Sequence, residues 1–228
     1  SRAVPAGPRR TPGGRPERKP IRLVLALPLA LALAGCSILG SEQRDPVTIF
    51  APDVRVPARP DWPAVSWTLV IAKPTAARVI DSPRISVRPT PGELQVYRGA
   101  SWAMPATDML QDAVQRTLED SGRIPAVASA DAGILGDYKL VMDLRRFDAD
   151  YAGGALPEAV VEVNAKLVNN RGQRVVASRT FLQQRPADGV DVARVAAAFE
   201  QALQAATTDI AGWVLVSGNS DPKPAASP

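Results

Sequence analysis

The chain has 228 residues, 27 of them basic and 23 acidic, with one cysteine and no histidine. A Ser-His-Asp triad and an intrachain disulfide are therefore excluded, and a zinc site would lack its usual ligands. The positive surplus is local: Arg2, Arg9, Arg10, Arg15, Arg18, Lys19 and Arg22 precede Cys36 against a single Glu17, leaving 20 basic and 22 acidic residues from Cys36 onward, so nothing in that part argues for a phosphate-binding surface and nucleic acid is not an expected partner.

Residues 1–17 are rich in Pro, Gly and Arg and are set aside from the fold reading. Arg18, Lys19 and Arg22 then precede an apolar run from Leu23 to Gly35. Thirteen helical residues reach about 20 Å, short of the ~30 Å bilayer core, so the run reads as the apolar region of an export signal rather than a span. It ends in Leu33-Ala34-Gly35-Cys36, the pattern of a bacterial lipobox: a branched apolar residue, two small residues that let a peptidase approach the backbone, and a thiol that receives lipid. Residues 1–35 are expected to be removed. Cys36 is expected to carry diacylglycerol and an N-acyl chain of the palmitate kind, since two or more chains anchor a protein where one does not. Ser37, rather than Asp, follows the cysteine and points to the outer membrane of a Gram-negative envelope, on its periplasmic face.

Residues 36–46 read as the lipidated cysteine and a polar tether; ten extended residues span about 30 Å. A folded domain is expected over 47–216. Val47 to Phe50 is strand-like. Ala51 to Ala64 carries Pro52, Pro57, Pro60 and Pro63, which favour an extended path. Ser66 to Ala72 is a continuous apolar run, read as a buried strand. Arg84 to Arg88 alternates, with Ile85 and Val87 on one face; a turn at Thr90-Pro91-Gly92-Glu93 and a short strand from Leu94 to Tyr97 complete a hairpin. Pro105 opens a helix with Leu110, Val114 and Leu118 on one side, ended by Gly122.

Tyr138 to Leu144 alternates, and Phe147 falls out of phase, which predicts a bulge near Arg145-Arg146. Val161, Val163, Ala165 and Leu167 share a face; Asn169-Asn170-Arg171-Gly172 is a hairpin turn, and Val175 to Leu182 returns without a clear apolar side. Asp191 to Trp213 is the clearest helix, with Val192, Val195, Phe199, Leu203, Ala206, Ile210 and Trp213 in one stripe. Residues 217–228 read as a disordered tail. The order of elements predicts an α/β chain of the α+β kind, a two-layer sandwich with a mainly antiparallel sheet and two helices packed on one face.

Chemistry-bearing patterns are few. There is no phosphate-loop signature, and no catalytic, cofactor-binding or metal-ligating residue is assigned. Asp148-Ala149-Asp150 admits a cation or acid–base site but is read as a solvated strand end. Tyr97 and Trp102 admit an exposed aromatic partner surface; packing at a strand–helix junction is the favoured alternative.

Several stretches together resemble the ABC-type transport auxiliary lipoproteins: Asp81-Ser82-Pro83-Arg84-Ile85-Ser86-Val87-Arg88, Tyr97-Arg98-Gly99-Ala100-Ser101-Trp102-Ala103, Glu119-Asp120-Ser121-Gly122, Asp137-Tyr138-Lys139-Leu140, Arg145-Arg146-Phe147, Arg179-Thr180-Phe181, and Ala198-Phe199-Glu200-Gln201-Ala202-Leu203 with Trp213 beyond. In that order they run from Asp81 to Trp213, within the domain expected over roughly 47–216. The resemblance implies a non-catalytic component beside an ABC ATPase, a permease and an MCE-domain partner, in a system that moves lipids or other apolar compounds between membranes. It leaves open a docking protein, a carrier that holds an acyl chain between sheet and helices, and self-association.

Overall fold

The computed structural model describes residues 46–221. The expected signal 1–35, the lipobox Leu33-Ala34-Gly35-Cys36, the rest of the tether before Pro46 and the residues after Asp221 lie outside the described residues. Strands β1 (Thr48–Phe50), β2 (Leu69–Ile71), β3 (Thr75–Ala76), β4 (Arg84–Arg88) and β5 (Gln95–Trp102) precede helix α1 (Ala106–Asp120). Strand β6 (Val127–Ser129), a 3-10 turn at Ala130–Ala132, β7 (Tyr138–Asp150), β8 (Glu158–Asn169) and β9 (Arg174–Pro186) lead to helix α2 (Val192–Asn219).

The fold is α+β, built on β7. Along one edge β7 takes three short strands in succession, all parallel: Val70 of β2 lies beside Lys139, Ala76 of β3 beside Leu144, and Val87 of β4 beside Ala149. Along the other edge β8 runs antiparallel from Tyr138↔Asn169 to Asp150↔Glu158, and β9 pairs antiparallel with β8. Beyond β4, β5 is antiparallel to it and β1 parallel to β5; β6 runs parallel to β2. The sheet is thus mixed rather than mainly antiparallel. The hairpins β4–β5 and β7–β8–β9 are antiparallel because tight turns allow nothing else. The parallel pairs arise because β2, β3 and β4 follow one another in one direction, joined by residues 72–74 and 77–83, and β7 comes back alongside them only after β5, α1 and β6.

Two local expectations have clear physical outcomes. The pairing of β7 with β8 shifts register between Leu144 and Arg146. That bulge returns Phe147 to the side of Leu140, Met142 and Leu144, all buried. The helix stripe runs further than the sequence suggested. Asp191 caps α2 by accepting the Arg194 N–H at 3.2 Å, and the helix continues through Ser217 to Asn219. Gly218 permits this, because a Cβ there would overlap the Trp67 ring. The polar run from Ser217 therefore begins inside the fold, and Asp221 beyond it is buried.

One buried cluster joins the two layers. Leu110, Val114 and Leu118 of α1 and Val195, Phe199, Leu203 and Ile210 of α2 meet Ile85, Leu140, Met142, Leu144, Val161, Val163 and Leu167 of the sheet. Side chains of this size contribute roughly 1.5–3 kcal/mol each when fully buried. At the centre, the Trp102 ring stands edge-on to Phe147 and Phe199, at 5.8 and 5.3 Å between centroids, while the two phenyl rings stack at 4.7 Å.

Candidate functional site

The aromatic pair singled out in the sequence separates. Trp102 ends β5 and is 2% exposed, filled in on all sides by the cluster just described. It is a core residue, and the reading of a surface patch shared by Tyr97 and Trp102 is corrected accordingly. The physical reason is the length of β5: it runs on to residue 102 and carries the indole under α2. Tyr97, earlier on β5, is half-buried against the same core, and burial pushes its phenol pKa up.

The Asp148-Ala149-Asp150 carboxylates are also not a solvated strand end. Arg146 lies two residues away on the same strand, and its guanidinium reaches Asp148 Oδ1 at 2.7 Å and Asp150 Oδ2 at 2.6 Å. Arg88 of neighbouring β4 approaches Asp148 at 3.6 Å. The Asp148 side chain is 3% exposed. The hydrogen bond to Asp148 raises the Arg146 pKa against the opposing effect of burial. Burial works to raise the Asp150 pKa, but bonds from the Ala152 N–H and Arg146 outweigh it and hold the carboxyl below its ordinary range. Both carboxylates are thus occupied by arginine.

A second polar cluster, without a signature in the sequence, lies at the opposite end of β7. Asp221 follows α2 and is nearly inaccessible. Its Oδ2 accepts from the Tyr138 hydroxyl at 2.9 Å and from Asn169 Nδ2 at 2.9 Å, while Arg174 at the start of β9 pairs with Oδ1. Four elements are tied at one point: the starts of β7 and β9, the end of β8 and the end of α2. Burial alone would raise the Asp221 pKa; the bonds from Asn169, Arg174 and Tyr138 more than offset it and hold it below the usual carboxylate range. Burial and the bond to Asp221 push the Tyr138 phenol up to about 12, so it remains a donor at neutral pH. Trp67 leans edge-on against the Tyr138 ring at 4.9 Å.

Next to this clasp, Asp137 accepts from the Thr68 N–H at 3.0 Å, the Thr68 hydroxyl at 3.1 Å and Arg171 at 3.3 Å. The Thr68 N–H bond is the main reason that its pKa lies below the ordinary value. These bonds fix the loop entering β7 against the 169–173 turn. Only the turn was legible in the sequence. Asp221 is distant in sequence from all its partners and sits in a polar run, so no local pattern announced it.

The arrangement makes rigid surface rather than reactive groups. Its ionic side chains are consumed by one another, and the space between sheet and helices is filled by Leu140, Met142, Phe199 and Leu203, each at most 1% exposed. The apolar groove between residues 51–54 and α1 holds only about 60 Å³, well below the roughly 300 Å³ of a typical ligand pocket; the larger hollows, of about 630 Å³ each, are open grooves at the clasp end. Among the described residues, no helix is long and apolar enough to cross a membrane.

Comparison with known proteins follows the same outline. A family model described as ABC-type transport auxiliary lipoprotein component matches residues 48–211. The crystal structure of a protein from Xanthomonas campestris is 62% identical, with 75% of this chain and 97% of that chain covered and a TM-score of 0.73. A second crystal structure, of an uncharacterized protein, is 13% identical over 73% of this chain and 97% of that one, with a TM-score of 0.55, a likeness of fold alone. An uncharacterized protein of Bradyrhizobium diazoefficiens is 30% identical over 172 residues, covering 72% of this chain. The match spans 44% of that relative's length.

Proposed function

We infer the role of this chain from one premise: it belongs to the family of ABC-type transport auxiliary lipoprotein components, whose pattern runs through nearly all of the folded domain. On that premise it is a non-catalytic lipoprotein, held by acyl chains on Cys36 to the periplasmic face of the outer membrane. Its folded domain docks the envelope-side MCE partner of an ABC transporter that moves lipids or other apolar compounds between membranes. The observation that carries the reading is the coincidence of the family match over 48–211 with Leu33-Ala34-Gly35-Cys36 a short tether upstream. The packed sheet–helix interior supports docking over carriage of an acyl chain. A tethered domain also works at high local concentration, so a modest affinity for the partner suffices.

The test is a Cys36→Ala protein expressed in cells that depend on the transport system. It is expected to fold, to appear in the soluble periplasmic fraction and to fail to support transport. Full transport by the soluble form contradicts the docking role. Stoichiometric phospholipid retained by the gently extracted protein, with no MCE chain alongside, favours a carrier instead.

A further inference from the structure

The clasp end of the domain carries apolar surface that the fold does not use. Between the 3-10 turn at Ala130–Ala132 and β7, the loop presents Ile134 at 56% and Leu135 at 94% exposure. Leu135, and about half of Ile134, are left uncovered by the described residues. The loop is nevertheless held in place. Gly136 passes so close to β2 that a Cβ would lie 2.8 Å from Val70 Cγ2 and 3.0 Å from its backbone nitrogen, and Asp137 is bonded to Thr68 directly after it. Beside the two side chains lies an open groove of about 630 Å³. On its rim Arg171 is paired with Asp137 at 3.3 Å, which leaves the exposed Lys139 as one unbalanced positive charge among the lining residues.

The register of the sheet places this end relative to β1. Thr48 lies beside Ala100, Ser101 beside Arg84 and Ser86 beside Asp148. The first strand, β1, therefore begins toward the Asp148 end of β7. Nine or so strand residues, roughly 30 Å, separate that point from Tyr138. The apolar end is the one remote from Thr48, where the first strand begins.

We propose that Ile134 and Leu135, with the Lys139–Arg171 rim, form the surface that receives the transporter's envelope-side chain, and that the segment received is an apolar stretch flanked by carboxylates. The proposal rests on the docking role above and names the face that performs it. Exposed apolar side chains on a rigid base serve as anchors, and the basic rim selects an acidic flank over a basic one.

A photoreactive phenylalanine analogue at position 135 of the full-length lipoprotein tests this in cells. The same probe at Leu156, which is 51% exposed in the loop after Asp150 at the far end, is the control. Illumination is expected to join position 135, and not 156, to the MCE chain. Ile134→Ser with Leu135→Ser is expected to lower co-purification of that chain at least about tenfold with the fold intact by circular dichroism, the loss of a single strong anchor. Capture of the MCE chain from position 156 alone overturns the assigned face while the docking role stands. Adducts to phospholipid alone at 135 overturn it in favour of a membrane-inserting loop. Absence of the MCE chain from both positions and from co-purification refutes the docking role itself, and the assigned face with it.

Discussion

The Tyr138 hydroxyl donates to the Asp221 carboxylate at 2.9 Å, so the first residue of β7 holds the residue just beyond the last helix. Three donors converge on a carboxylate shielded from water; without the acid, Arg174, half exposed, turns to water, while the buried Tyr138 hydroxyl keeps only the long contact to the Gly218 carbonyl at 3.4 Å. Asp221→Ala is expected to cost about 2–3 kcal/mol, the penalty of orphaning buried polar groups. Urea unfolding measures it. Tyr138→Phe removes one donor only and is expected to cost about 1 kcal/mol.

The same carboxyl makes stability depend on acid. Its pKa in the folded protein lies below the ordinary value, as do those of Asp137 and Asp150. A carboxyl with a depressed folded pKa contributes stability above its unfolded value, near 3.9, and loses it as pH falls through the folded value. Unfolding midpoints are expected to hold between pH 7 and about 5 and to fall steeply below about 4. Asp221→Asn starts lower and loses less over the acid range, because it has no proton to take up there.

Trp102 offers a test of core against surface. It is 2% exposed and packs against Phe147 and Phe199. Trp102→Ala is expected to lose about 3–5 kcal/mol through the cavity it leaves, and Trp102→Phe much less. Partner capture by the folded Trp102→Phe protein should be unchanged. Loss of capture with stability retained would return the residue to a partner surface.

Gly136 is required by a close approach rather than by its backbone angles. A methyl group there would press on the Val70 side chain and on its backbone nitrogen, and backbone does not give way cheaply. Gly136→Ala is expected to cost about 1–3 kcal/mol, as overpacking does. Hydrogen exchange should quicken over residues 133–137, with the β8–β9 hairpin unaffected.

The parts of the fold that the sequence discloses are those with a period. The alternation from Tyr138 to Leu144, the slip before Phe147 and the stripe from Val192 to Trp213 each map onto β7, its bulge and α2. Strands β3 and β6, two and three residues long, are too short to show a period at all. The parallel pairing of β2, β3 and β4 with β7 is a matter of which edge the chain rejoins, and composition does not record that. The clasp was invisible for a related reason: Asp221 meets Tyr138 across 83 residues and Asn169 across 52, and a polar run near a chain end resembles a tail until something is found holding it. Leu135 shows the reverse case, an apolar residue that local pattern assigns to no element and that the fold leaves outside.

The most direct test of the account is the intact mass of the protein extracted from membranes. The expected species begins at residue 36 and carries a diacylglycerol and an N-acyl chain on Cys36. A species with a free thiol at residue 36 and its amino terminus elsewhere would contradict it.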